Sequence, residues 1–243
     1  TDEATSVRIW DVGDPASPAL LSTIDVPVDD AHRLAVRDDL LVLASTYNDV
    51  FAFWDVSDPA SPARIAEWAP PVGEPHDQTF DGNRLWVAFT KGWACLDVTD
   101  PAAPVALFSA EADWEFPFVH NLAVAGSSVL MTEEKAGGTL RRWDTADLDA
   151  VTLTDSYQTH PDRSVHDVFV AGETAYAAWF NDGLLLFDLA GELVPVASYD
   201  TYEGDESAAG DGTANSHGAS GVWADGDLVA VADTERGLLI FTY

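Results

Sequence analysis

The chain alternates short apolar runs with tight polar breaks. From Arg33, "RLAV" is followed by "DD" and then by "LLVLAS". "TYND" leads into "VFAFWDV", and "SDPASP" leads into the more polar "RIAEWA". The next stretch repeats the order as "QTF", "DGN", "RLWVAF", "TKG", "WACLDV", "TDPAAP" and "VALFSA". Apolar runs of about four to seven residues bounded by Asp, Gly, Asn and Pro predict β-strands joined by reversals. Proline after aspartate fixes φ and ends the third run of each unit without breaking a ladder. Each strand is too short for one unit to bury both its faces, so the units must stack on one another.

The repeat is explicit. "VRIWDVGDPASP" (7–18) returns as "VFAFWDVSDPASP" (50–62) and "GWACLDVTDPAAP" (92–104). It weakens to "TLRRWDTADLDA" (139–150) and "GLLLFDLAGELVP" (183–195), and ends as "GLLIFTY" (237–243). The aspartates Asp11, Asp55, Asp97, Asp144 and Asp188 are spaced 44, 42, 47 and 44 residues apart, and Thr242 takes the next place. A period near 44 with four short strands per unit predicts an all-β chain of β-propeller blades. Five units begin with a first strand, and the fifth stops after its third. The N-terminus adds "VRIWDV" and "ALLSTIDV" as a half-blade. Residues 1–243 are therefore expected to form a single propeller domain, with five- and six-bladed rings both open. In a five-bladed ring "ALLSTIDV" would close the last blade from its outer edge.

"WDVSDPASP" followed by a strand, with "GLLLFDL" as a third strand, resembles the LVIVD-repeat proteins over nearly the whole chain. The resemblance implies a β-propeller, often on a prokaryotic cell surface, and implies no particular chemistry. A more distant similarity to WD-repeat propellers rests on Trp10-Asp11, Trp54-Asp55 and Trp143-Asp144.

Five of the six histidines recur with the repeat: His32, His76, His120, His166 and His217, spaced 44, 44, 46 and 51. His160 lies off phase in "QTHPDRS". The recurring five precede the first predicted strand of each unit. In a propeller that strand lines the channel, so the imidazoles are expected to ring one mouth. The turns expected beside them carry Glu133 and Glu134, Asn181 and Asp182, and Asp233 with Glu235. The loop "DWEFPF" adds Trp114, Phe116 and Phe118, either plugging the mouth or stacking on a ligand. Glu133, Asn181, Asp233 and Trp114 are the candidate ligand-binding residues. Convergent imidazoles suit Zn, Cu, Fe, Ni or Mn, with Asp77, Asn121 and Asp167 as groups that orient the rings. The competing reading is structural. Strand hydroxyls at Ser45, Thr90 and Thr132 would then wire each histidine into its blade, as in WD-repeat propellers.

Composition narrows the function. Asp and Glu number 42 against 11 Lys and Arg, a formal net charge of −31, and only Lys91 and Lys135 are lysines. Yet 47% of residues are hydrophobic, which is globular composition. An acidic, lysine-poor surface on an ordinary core resembles proteins of extreme halophiles. At molar salt the Debye length shrinks to about 3 Å and self-repulsion is screened. No basic patch is available for phosphates, so nucleic acid is not an expected partner. No apolar run is long enough for a membrane span. Cys95, the single cysteine, is expected to be a buried inert thiol. "GDESAAGDGT" (204–213) offers oxygen ligands for Ca²⁺ but lacks a full loop motif. The expected function is a monomeric, secreted or surface-associated scaffold. It would bind a protein or glycan at the histidine-ringed mouth. The alternative is a metal-dependent hydrolase or oxidase using the same ring.

Overall fold

The computed structural model describes residues 6–26, 31–46, 48–202 and 217–242. The acidic loop at 204–213 lies outside them. Among the described residues every regular element is a strand, and no helix is long and apolar enough to cross a membrane. The chain divides into two compact units, Thr1–Asp113 and Trp114–Tyr243.

The first unit opens with β1 (Ser6–Asp11) and β2 (Ala19–Asp25), which pair with each other as a two-stranded sheet. Two four-stranded antiparallel sheets follow. The first holds β3 (Ala31–Arg37), β4 (Leu40–Ser45), β5 (Val50–Asp55) and β6 (Ala63–Trp68). The second holds β7 (Pro75–Asp81), β8 (Arg84–Phe89), β9 (Gly92–Asp97) and β10 (Val105–Glu111). In the second unit, β11 (Val119–Ala125), β12 (Ser128–Glu133), β13 (Leu140–Asp144) and β14 (Thr152–Tyr157) form one sheet. The next contains β15 (Asp167–Ala171), β16 (Thr174–Ala178), β17 (Leu184–Asp188) and β18 (Pro195–Tyr199). A three-stranded sheet of β19 (Ala219–Asp225), β20 (Leu228–Asp233) and β21 (Gly237–Thr242) ends the chain. Strands within each sheet run in sequence order, as in propeller blades. The fold is the expected all-β β-propeller class, with the half-blade standing as a separate sheet.

Burial explains the strand chemistry. The second strand of a blade is covered on both faces, so β4 (LLVLAS) and β8 (RLWVAF) read as nearly continuous apolar runs. The fourth strands lie at the outer edge and are more polar, as in β6 (ARIAEW). Phe51 and Phe53 of β5 pack with Val87, Phe89 and Leu96 of the adjoining blade in one core. In the second unit Leu140, Val168, Trp179 and Phe187 share another. Each such fully buried side chain contributes about 1.5–3 kcal/mol. Cys95 is fully buried in β9, and burial pushes its thiol up to about 11, as expected of an inert thiol.

The repeated aspartates have a structural cause. Asp11, Asp55, Asp97, Asp144 and Asp188 each accept, through Oδ1, the backbone N–H two residues on, at 2.8–3.0 Å. The aspartate of "DPASP" does the same, Asp58 from Ala60 and Asp100 from Ala102, at 3.1 Å. Two successive Asx turns thus end the third strand and start the fourth. The hydrogen bonds from Ser57 and Thr99 hold the carboxyls of Asp55 and Asp97 below the ordinary range.

The first strands differ from expectation. They start earlier than the apolar pattern indicates and take in the histidine in three blades. The ladder shifts at that place, with one residue more on the first strand than on its partner: between Ala31 and Arg33, between Pro75 and Asp77, and between Val119 and Leu122. His32, His76 and His120 therefore sit in β-bulges. The last sheet has the same bulge between Ala219 and Gly221, and its occupant is Ser220. His217 precedes that position by three residues, so it falls in the count of the repeat without occupying the bulge.

Candidate functional site

A bulge leaves one residue without a ladder partner and re-aims its side chain. This is how the sheets present imidazoles. In the first unit the rings of His32 and His76 meet edge-to-face with centroids 4.2 Å apart. His76 is buried and His32 exposed. Burial lowers the His32 imidazole below its ordinary value, partly offset by Asp77, while Arg33 lowers it further. Asp77 is itself paired with Arg33 at 3.0 Å.

The second unit brings more groups together. His120 lies in the β11 bulge and is 4% exposed; its ring centroid is 4.0 Å from that of His166. His166 immediately precedes β15, and its backbone N–H donates to the Ala178 carbonyl at 3.0 Å. The His166 ring also packs on Phe180, with centroids 4.9 Å apart. Its Nδ1 bonds the Ser220 carbonyl, the equivalent bulge in the next sheet. A carbonyl only accepts, so Nδ1 carries the proton and the lone pair of the neutral ring is on Nε2. Glu134, in the turn after β12, brings Oε2 to 3.4 Å from His120 Nε2. Its half-buried carboxyl is pushed upward by desolvation. One ligand atom each from His120, Glu134 and His166 lies within 4.8 Å of the other two.

Glu133 has a different role from its neighbour. It is fully buried and accepts from Thr139 Oγ1 at 2.5 Å, Arg141 Nε at 3.0 Å and Trp114 Nε1. Lys135 Nζ lies 3.2 Å from its other oxygen. Arg141 also covers the Trp114 ring, 4.3 Å from its centroid, and Trp114 stacks on Trp143. Trp114 and Glu133 together anchor the "DWEFPF" loop. Lys135 completes the clamp by donating to the carbonyls of Glu115 and Phe116, both at 3.2 Å. What the loop presents outward is Phe116, 80% exposed with φ of +49°.

The remaining sequence candidates lie in other turns of the second unit. Asp233 closes the turn after β20 by accepting from Glu235 N and Arg236 N at 3.0 and 2.7 Å. Asn181 is buried in the turn after β16, and its Oδ1 has no hydrogen-bond partner among the described residues. His217 bonds Glu235 through Nδ1 and stacks on Tyr202, with centroids 5.4 Å apart. His160 is exposed beside Asp162.

The residues after the histidines brace blades. Asn121 Oδ1 accepts Val168 N–H of the next first strand at 3.0 Å, and Asp167 Oδ2 accepts Val222 N–H at 3.2 Å. Beside their expected task of orienting imidazoles these residues make backbone bonds, because extended first strands lie side by side and leave N–H groups to satisfy. The Thr132 hydroxyl accepts from Asn121 N and donates to the His166 carbonyl at 2.9 Å. Its one proton thus reaches the histidine backbone and not the ring. Sequence reasoning placed Glu133 and Glu134 together as one acidic turn. Only the strand register separates them, one inward and one toward the imidazoles.

No family model matches the chain, and no curated protein matches it. Solved structures do. A protein from Lactobacillus plantarum superposes with a TM-score of 0.80 at 14% identity, covering 100% of this chain and 75% of that one. A chain of the mitotic checkpoint complex gives 0.75 at 12% identity, covering 98% and 70%. The computationally designed Ika8 protein gives 0.66 at 10% identity; it is matched by the whole chain, which spans 66% of its length. At such identities the likeness is one of fold alone.

Proposed function

We propose that this chain is an LVIVD-type propeller scaffold, acting at the cell surface or outside the cell of a halophile, with a protein or glycan as ligand. One observation carries the reading: an exposed phenylalanine on a clamped loop. Phe116 occupies a left-handed backbone conformation that costs a bulky residue on the order of 1–3 kcal/mol. Lys135 holds the carbonyls on either side of that strain, and the next residue of the same turn, Glu134, faces His120. A rigid aromatic knob next to polar groups is the chemistry of a binding anchor. The net charge of −31 supports a high-salt setting and disfavours nucleic acid as partner.

The test is surface plasmon resonance with the chain immobilised in molar KCl. Cell-envelope glycoproteins are passed over it before and after enzymatic deglycosylation. Saturable binding that the Phe116→Ala, His166→Ala double variant loses supports the scaffold, and deglycosylation separates glycan from protein recognition. Absence of binding, or binding indifferent to the double variant, overturns it. The second reading, a metal-dependent hydrolase or oxidase, is favoured by the meeting of two imidazoles and a carboxylate in the second unit.

A further inference from the structure

We infer that His120, Glu134 and His166 form a zinc site within the second unit, a site that stands with either reading of function. Zinc in tetrahedral coordination takes nitrogen and oxygen ligands at roughly 2.0–2.1 Å, so two ligand atoms on one ion are about 3.3–3.4 Å apart. His120 Nε2 and Glu134 Oε2 are 3.4 Å apart. The third ligand atom, from His166, lies within 4.8 Å of both, so the three converge on one point.

The surroundings fit an ion better than a simple acid–imidazole contact. The His166 Nδ1–H donates to the Ser220 carbonyl, the kind of outer bond that fixes the tautomer of a metal-bound histidine and leaves Nε2 basic. Phe180 packs on the same ring and restricts it. The bulge at His120 fixes the backbone that carries its ring, because Val119 and Leu122 on either side are paired with β12. Two imidazoles with one carboxylate leave a fourth tetrahedral position for water or a ligand atom. The mixed nitrogen and oxygen set selects zinc or a neighbouring transition ion over Ca²⁺ or Mg²⁺.

The experiment titrates the tag-free full chain with zinc nitrate by calorimetry in molar potassium nitrate, which avoids chloride complexes. Cobalt is used in parallel for the visible bands of a tetrahedral centre. One ion per chain is expected. Glu134→Gln and His166→Ala should each weaken binding by at least about tenfold. His160→Ala, off phase and exposed, should leave it unchanged. Circular dichroism confirms that each variant is folded; His120→Ala is added, and if it fails to fold the other two variants decide. No stoichiometric binding by the folded wild type overturns the site, as does binding that survives both Glu134→Gln and His166→Ala. Loss of zinc with retained glycoprotein binding would separate this inference from the scaffold reading.

Discussion

Replacing Glu133 by alanine should be among the most damaging single changes in the second unit. Its carboxylate is fully buried, with Arg141 Nε at 3.0 Å, Lys135 Nζ at 3.2 Å, Thr139 Oγ1 at 2.5 Å, and Trp114 Nε1 also bonded. Alanine strands two cations and two neutral donors. Arg141 is only 17% exposed, so water compensates poorly. Breaking a buried ion pair by removing one partner costs about 3–5 kcal/mol. For a chain of this size each kcal/mol shifts the melting temperature by about 2–4 °C, giving a loss of roughly 6–20 °C. Glu133→Gln keeps the volume but turns an amide NH₂ toward donors, so it should fall between alanine and wild type. Glu134→Gln is the internal control. Burial already opposes its charge, and the neutral amide should cost about 1 kcal/mol or less. Urea unfolding in molar KCl, followed by tryptophan fluorescence, measures all three. If Glu133→Ala unfolds within about 1 kcal/mol of wild type, or Glu134→Gln is equally harmful, the division of labour between the two acids is wrong.

Asp167→Ala should cost about 1–3 kcal/mol in the same assay, since it orphans the buried Val222 N–H; a neutral outcome would mean that the blades do not depend on this brace. The His32 imidazole is held below its ordinary value of 6.5, so its contribution is fully present above that pH and is lost as pH falls through the lowered value. Stability curves of wild type and His32→Gln should therefore run parallel above pH 6.5 and converge or cross only below it; parallel curves throughout would refute this. The melting temperature should climb between dilute buffer and molar KCl as 42 acidic groups are screened, and equal values would contradict the halophile reading.

The fold was legible because its signals are local. Asp11, Asp55, Asp97, Asp144 and Asp188 each close their own turn through the N–H two residues on, so the turn chemistry is written in adjacent letters. The double-sided burial of β4 and β8 likewise shows as unbroken apolar runs. The site was only half legible. Counting along the chain puts His217 in phase, but the bulge position is Ser220, three residues on, which strand register shows and periodicity does not. Alternation also fails at a bulge, which is why the first strands looked short and their histidines looked like loop residues. The opposite fates of Glu133 and Glu134 depend on Arg141, Lys135 and His120, whose approach is set by strand pairing. Exposure of Phe116 was equally hidden, since an apolar residue in a loop reads the same whether it plugs or protrudes.

The recurring bulge has an evolutionary corollary. Because its residue owes nothing to the ladder, changing that side chain leaves the strand pairing of the blade intact. Three first strands carry histidine there and the last carries serine, each with one residue more than its partner strand. Each repeat thus has a socket whose contents can be exchanged one at a time. A duplicated blade inherits the socket along with its fold, and can acquire or lose a reactive group by a single codon change.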